Sequence, residues 1–172
     1  MTTPTPADHS MITPPADPDA YVDRLGARVL LVDGRHRVLM FRGFDPATPD
    51  RRYWFTVGGG LDPGETTAQA AVRELCEETG LSVPVESLGE PVWHEVTEFP
   101  FEGRWYRQEQ DFFLVTVPEW RVRTDDWDEV ERRTVDGVRW WSVEELESTD
   151  EAYYPVELPA LLRRLLTGRV EG

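Results

Sequence analysis

Three glutamates crowd the stretch "VRELCEETG", Val72 to Gly80: Glu74, Glu77 and Glu78. Carboxylate oxygens are hard ligands, and a cluster of them suits Mg²⁺ or Mn²⁺. The stretch reads as the end of a helix. At about 100° per residue, the three side chains fall within one arc of roughly 100°. Ala68, Ala71, Val72 and Leu75 lie on another side as a core-facing stripe. A glutamate-rich helix face is ordinarily just a solvated one. Two features argue against that here. No Lys follows any of the three at i+4, and the cluster occupies the last turns, where the helix dipole disfavours negative charge. A divalent cation would reverse the sign of that cost.

The residues before the helix extend the pattern. From Gly59, five residues lead to Glu65 and seven more lead to the run Arg73-Glu74-Leu75-Cys76-Glu77-Glu78-Thr79-Gly80-Leu81. This resembles the signature of the Nudix hydrolase family, G-x5-E-x7-R-E-U-x-E-E-x-G-U with U a bulky aliphatic, and every fixed position is met. The order of strands from about Tyr21 to Leu166 also resembles a Nudix domain. The resemblance implies the α/β class: a Nudix-type α/β/α sandwich with a mixed, partly antiparallel sheet and a catalytic loop–helix–loop. It implies divalent-metal-dependent hydrolysis of a phosphoanhydride bond in a nucleoside diphosphate linked to another moiety. By position, Glu74, Glu77 and Glu78 would bind Mg²⁺ or Mn²⁺, with Glu74 and Glu78 the leading catalytic pair. Arg73 would pair with Glu65 and brace the loop. Gly59 and Gly60 would let the backbone turn tightly before the helix. Leu75 and Leu81 would anchor the motif in the core. Cys76 reads as an ordinary small side chain, since neighbouring carboxylates disfavour a thiolate.

A carboxylate must also take a proton from the attacking water. Glu131, and beside it Glu129, lie before the strand "VRWWS", a place that resembles the acidic catalytic loop of several Nudix subfamilies. Glu131 is the first choice outside the box. Glu109 and Asp111, in "RQEQDFF", are the other candidates; a box glutamate is a further one. Arg51, Arg52, Arg104 and Arg107 could meet phosphates. Tyr53, Trp54, Trp93 and Trp105 could stack on a base, although core packing is the commoner role of Trp. His36 and His94 have no partner at metal-ligand spacing and read as structural; His9 lies near the N-terminus. Val57 stands where many Nudix proteins have Pro. "EVTEF", Glu95 to Phe99, carries neither the Pro of ADP-ribose pyrophosphatases nor the Tyr of dinucleoside-polyphosphate hydrolases. The coenzyme A pyrophosphatase motif is absent as well, so the substrate class stays open.

The elements that must position these residues are legible in outline. "ARVLLVD" and "HRVLMFR" read as a hairpin turning at "GR". "YWFTV" is a third strand entering Gly58-Gly59-Gly60. Pro63-Gly64 suits a type II turn, and Thr66 or Thr67 caps a helix running to about Thr79, with Gly80 as its left-handed stop. "EPVWHEVTEF" and "RWYRQEQDFFLVTV" form a long hairpin around "FPFEG". "TDDWDEVE" reads as a solvated loop. "GVRWWS" is another strand, and Ser142 with Glu145 makes a capping box for a short helix. A last helix carries Leu158, Leu161, Leu162, Leu165 and Leu166 on one face, with Gly168 as its stop.

The chain has 172 residues, 40% hydrophobic with seven Trp, enough for one sizeable core. Residues 1–20, rich in Pro and Thr, read as a flexible N-terminal tail before a single domain at 21–172. No apolar run reaches the roughly 20 residues of a membrane span. One cysteine excludes an internal disulfide. A cytoplasmic location follows by default. The net charge of −15 argues against a protein that coats duplex nucleic acid. It allows a small anionic substrate if a metal or local arginines supply positive charge. The enzyme reading competes with a nucleotide or ADP-ribose sensor that does not turn over; the intact box favours the enzyme. An RNA-end hydrolase is weakened by the acidic surface. The resemblance also allows a homodimer.

Overall fold

A computed structural model describes residues 13–170 of the chain. Of the expected tail at residues 1–20, residues 1–12, with His9, lie outside the described residues. A short 3₁₀ turn at Pro18–Ala20 leads into the first strand. The strands are β1 (Tyr21–Val32), β2 (Val38–Gly43), β3 (Tyr53–Gly60), β4 (Trp93–Phe101), β5 (Arg104–Thr116), β6 (Val135–Trp141) and β7 (Ala152–Tyr154). The helices are α1 (Thr67–Thr79), α2 (Glu129–Thr134), α3 (Val143–Ser148) and α4 (Leu158–Val170).

Strands β1 and β2 are apolar at nearly every position because both faces of the sheet are covered. Val29, Leu31, Leu39 and Phe41 point to one face and pack with Ala70, Ala71 and Leu75 of α1. Leu30, Val32, Val38 and Met40 point to the other and meet Leu146 of α3 and Leu158, Leu161, Leu162 and Leu166 of α4. The alternation follows from the two-residue period of a strand. The result is the expected α/β/α sandwich.

Among the described residues, the sheet runs β4-β5-β1-β2-β3-β7, with β6 paired to β2. It is mixed: β1 and β5 are parallel along their length, β3 and β7 are parallel, and the other pairs are antiparallel. The β4–β5 hairpin forms as expected. The β1–β2 hairpin does so only in part, since the two strands are in register only at Val32 and Val38. Residues Gly26–Val29 of β1 turn instead to Gly60–Val57 of β3. The connection is also longer than a "GR" turn. Asp33 Oδ1 accepts from the backbone N–H groups of Arg35 and Arg37, which rounds the chain through His36 at φ 60°.

Two further expectations need correcting. The last helix does not stop at Gly168 but runs to Val170. The "TDDWDEVE" segment is not simply a loop. Asp128 caps α2 and shares a reciprocal capping box with Glu131, so Glu129 and Glu131 are helical.

Candidate active site

Helix α1 presents the glutamates. Thr66 and Gln69 close a capping box at its start, and Gly80 ends it at φ 79°. The turn before it is held by the Glu65 N–H donating to Asp62 O, with Gly64 at φ 82°. Its C-terminal carbonyls, which a helix leaves unpaired, are met from one segment. Trp120 Nε1 donates to Thr79 O at 3.0 Å, Trp127 Nε1 to Glu78 O at 2.9 Å, and Arg123 Nη2 to Gly80 O at 3.1 Å. The Arg123 cation also offsets the dipole at this end. These three residues escaped sequence reasoning. Only tertiary contact brings residues 120–127 to the helix end.

The box then assembles around Arg73. Its Nε and Nη2 bind the two oxygens of Glu65 at 2.8 and 2.9 Å, the bidentate pair anticipated from the sequence. Nη1 reaches Glu74 Oε1 at 3.0 Å and Glu77 Oε2 at 3.2 Å, and Nη2 reaches Gly60 O at 3.0 Å. So Arg73 ties the loop to the helix and holds two of the three glutamates. The roles of Gly59 and Gly60 need restating. Both continue β3, and the positive φ of 141° belongs to Gly58. A Cβ on Gly59 would lie 2.7 Å from Glu74 Oε1, so this glycine makes room for a box carboxylate rather than for a turn.

Glu78 is only 6% exposed, and its Oε2 accepts from Gly58 N–H at 3.1 Å. Burial, then the charges of Glu74 and Glu131, drive its pKa well above the usual carboxylate range; Gly58 N–H and Arg28 oppose the shift. Burial and Glu74 raise Glu77 as well. Burial, with the charges of Asp128, Glu74 and Glu77, pushes Glu131 up to about 7. Glu131 on α2 therefore shares one electrostatic environment with the box. A divalent cation would relieve the mutual repulsion of these carboxylates, and their hard oxygens are of the kind that suits Mg²⁺ or Mn²⁺. In the arrangement seen, Glu74 and Glu77 rest on Arg73 and Glu78 rests on Gly58. Among the described residues, no three acidic, His or Cys side chains form a ready-made metal cage.

The other proposed bases sit elsewhere. Asp111 Oδ2 accepts from Thr67 Oγ1 at 2.8 Å, and its Oδ1 lies 2.7 Å from His94 Nδ1. Glu109 Oε1 is 3.2 Å from His94 Nε2. Thr67 opens the helix, about 10 Å along the axis from Glu74 at 1.5 Å per residue. His94 thus lies between these two carboxylates.

A cleft of about 740 Å³ has Arg28, Tyr53, Phe55, Glu95, Trp105 and Gln110 among its lining, and none of Glu74, Glu77, Glu78 and Glu131. Of the arginines named from the sequence, Arg51 and Arg52 line it. Arg107 is instead turned to Asp23 and Glu98 and stacks over Tyr21, 4.4 Å from the ring centre. Arg104 opens β5 at the hairpin tip, outside this lining. Trp54 is a correction. It is 6% exposed and packs edge-on against Trp141 in the core, so it offers no face to a base. Trp93 packs against the same core, whereas Tyr53 and Trp105 do reach the cleft.

Arg28 was not singled out in the sequence, where it sits unremarkably in "ARVLLVD". Its Nε donates to Gln110 Oε1 at 3.2 Å and its Nη1 to Thr56 O at 3.1 Å. Among the described residues it makes no ion pair, yet Glu78 and Glu74 are the charges that most favour its protonated form. A desolvated cation without a carboxylate partner, set between the box and the cleft, is suited to a phosphate.

The comparisons agree with this geometry. The model of the NUDIX domain matches residues 22–161. An RNA pyrophosphohydrolase of Dinoroseobacter shibae is 37% identical over 95 residues, 51% of this chain and 58% of that protein. The chain spans about half the length of the curated relatives it matches. Among solved structures, a MutT protein from Methanosarcina mazei superposes with a TM-score of 0.64 at 17% identity, covering 87% of this chain and 96% of that one. A bifunctional NMN adenylyltransferase/ADP ribose pyrophosphatase from Francisella tularensis, complexed with AMP and a Mn ion, gives 0.54 at 20% identity, over 87% of this chain and 42% of that one. At these identities the superpositions speak for the fold. No described helix is long and apolar enough to cross a membrane.

Proposed function

The chain belongs to the NUDIX family, and on that premise we propose that it is a divalent-metal-dependent pyrophosphohydrolase acting on a nucleoside diphosphate derivative. The observation that carries this reading is the electrostatic coupling of Glu74, Glu78 and Glu131 beside Arg28, which makes no ion pair among the described residues and lines a nucleotide-sized cleft. Glu74, Glu77 and Glu78 would hold Mg²⁺ or Mn²⁺; a Mn ion in the Francisella relative supports that choice. Such a cation, when bound, neutralises phosphate oxygens and makes a bound water more acidic. Arg28 and Arg51 hold the phosphates against the box. Glu131 takes the proton as the water oxygen bonds to phosphorus and the bridging P–O bond breaks, the leaving phosphate departing with the electron pair. Arg73 and Glu65 keep the box rigid and take no part in the chemistry.

Relatives named RNA pyrophosphohydrolases match only about half of their length to this chain. The net charge of −15 favours a small substrate over a polynucleotide. A cytoplasmic setting accords with such a substrate. The test is a panel of nucleoside triphosphates, nucleotide sugars, dinucleoside polyphosphates and a 5′-triphosphorylated oligonucleotide, each with Mg²⁺ and with Mn²⁺. Release of a nucleoside monophosphate from a small member is expected. Glu78→Gln should cost more than the roughly 10–100-fold that loss of an outer-shell partner costs, with an unchanged far-ultraviolet spectrum. Tight nucleotide binding without turnover by the wild type would refute the hydrolase and favour a sensor.

A further inference from the structure

Two buried glutamines in the cleft wall require a reason. Gln108 is 1% and Gln110 is 5% exposed. Buried amides are retained only when their hydrogen bonds are met, and here they form a relay with a fixed direction. Arg28 can only donate, so the Gln110 atom facing its Nε must be the carbonyl oxygen. Gln108 Nε2 donates to the same oxygen at 2.7 Å. The Gln110 amide nitrogen is thereby turned away from Arg28, and it donates to Glu95 Oε1 at 2.6 Å. The backbone makes room for this relay: a Cβ on Gly26 would lie 2.4 Å from Gln108 Nε2.

The relay ends on an acceptor that faces the cleft. Glu95, Thr97 and Phe99 share one face of β4 and line it, and Glu98 and Pro100 at the end of the strand line it as well. Glu95 accepts from Gln110 through one oxygen, and the other has no protein partner among the described residues. Gly26, Gln110 and Glu95 lie opposite one another across β1, β5 and β4. Two hydrogen bonds, of 3.2 and 2.6 Å, and the single amide of Gln110 join the Arg28 guanidinium to the Glu95 carboxylate, so the two charges share one wall of the cleft. Aromatic side chains flank the path, among them Phe99 and Trp105; such faces stack on any base and give no selection of their own.

Resting on the hydrolase reading above, we propose that Glu95 is the specificity-determining residue of the cleft. It accepts N–H groups from the base and selects the base with two adjacent donors, guanine. Guanine offers N1–H and N2–H₂ side by side to the two oxygens of a carboxylate. Adenine and cytosine offer one amino group each. Uracil offers a single N–H between two carbonyl oxygens, which a carboxylate repels. Gln110 is a positioning residue: it holds Glu95 and presents no group of its own to the base.

The test is calorimetric titration of GMP, AMP, CMP and UMP into the full chain with Mg²⁺ present. GMP is expected to bind about tenfold or more tighter than UMP, with AMP and CMP between, as one good bidentate base contact allows. Glu95→Gln should bring GMP and UMP to within about threefold of each other, while ribose 5-phosphate binds as to the wild type. Four equal affinities in the wild type overturn the proposal, as does a Glu95→Gln chain that keeps the wild-type ranking. The wild-type ranking tests the idea without any variant. Turnover across the panel with no base preference sinks this inference and leaves the hydrolase standing. A guanine preference without turnover of any substrate does the reverse.

Discussion

At the scale of single residues, partners set the character of each charge. Glu65 and Glu78 are both glutamates of the same motif. The hydrogen bond from Arg73 holds Glu65 below the usual carboxylate range, whereas burial among like charges lifts Glu78 above it. The first is a brace and the second is the proposed ligand. His94 shows the same logic outside the box. The hydrogen bond to Asp111, against a smaller opposing effect of burial, raises its pKa above 6.5, and Glu109 adds to the shift. A raised folded-state value means that the stabilisation is fully present below 6.5 and is lost as the pH climbs through the folded-state value. A proton NMR titration should place the His94 midpoint above 6.5, and Asp111→Asn should move it down. A wild-type midpoint at or below 6.5 would show that the imidazole is not held between these carboxylates.

At the scale of elements, α1 is fixed at both ends by other parts of the chain. At its start, Thr67 bonds to Asp111 of β5. At its end, the segment from Trp120 to Trp127 supplies donors to three consecutive carbonyls, those of Glu78, Thr79 and Gly80. This answers the misplaced charge of "VRELCEETG": the helix terminus is held by indole N–H groups and a guanidinium, so carboxylates can collect there without fraying it. Trp127→Phe keeps an aromatic ring near Phe41, whose centre lies 5.7 Å from that of Trp127, but deletes the donor to Glu78 O. Leaving that carbonyl unmet should cost about 1–3 kcal/mol in urea unfolding. A change within 0.3 kcal/mol would mean that water replaces the indole and that the clamp is dispensable, since typical surface substitutions fall within about 0.5 kcal/mol.

For the whole molecule, the acidic surplus and the site are linked. A chain of net charge −15 that also drives three carboxylates above their ordinary range should gain stability from a cation in that place. At about 100 times its dissociation constant, one bound Mg²⁺ or Mn²⁺ adds ~2.7 kcal/mol. That corresponds to a rise in Tm of roughly 5–10 °C for a domain of this size. Thermal scans with and without EDTA measure it, and Glu78→Gln should abolish most of the rise. An equal rise in the variant would place the cation elsewhere.

How far these features were legible differs by kind. The glutamate-bearing helix, its caps, the Arg73–Glu65 pair and the long β4–β5 hairpin follow from local spacing, because i to i+4 geometry and turn chemistry are written in consecutive residues. The strand character of "VLLV" and "VLMF" was legible too, but not the burial of both their faces, because a short apolar run does not by itself state what covers it. Glu131 was named by its position in the resemblance, but its helix and its approach to Glu78 depend on where α2 packs. Arg28, Gln108, Gln110 and Glu95 carried no local signal at all. They lie on three strands, and only the parallel β1–β5 and antiparallel β5–β4 registers place them in one wall. Trp54 was misread for the matching reason: strand alternation sends it to the core or the cleft according to the register of β3, which the chain around it does not state. The sequence determined that carboxylates gather on one face of a helix. Which residues share the wall of the cleft was decided by strand pairing between residues more than eighty positions apart, where the long-range burial of apolar faces outweighs any local preference.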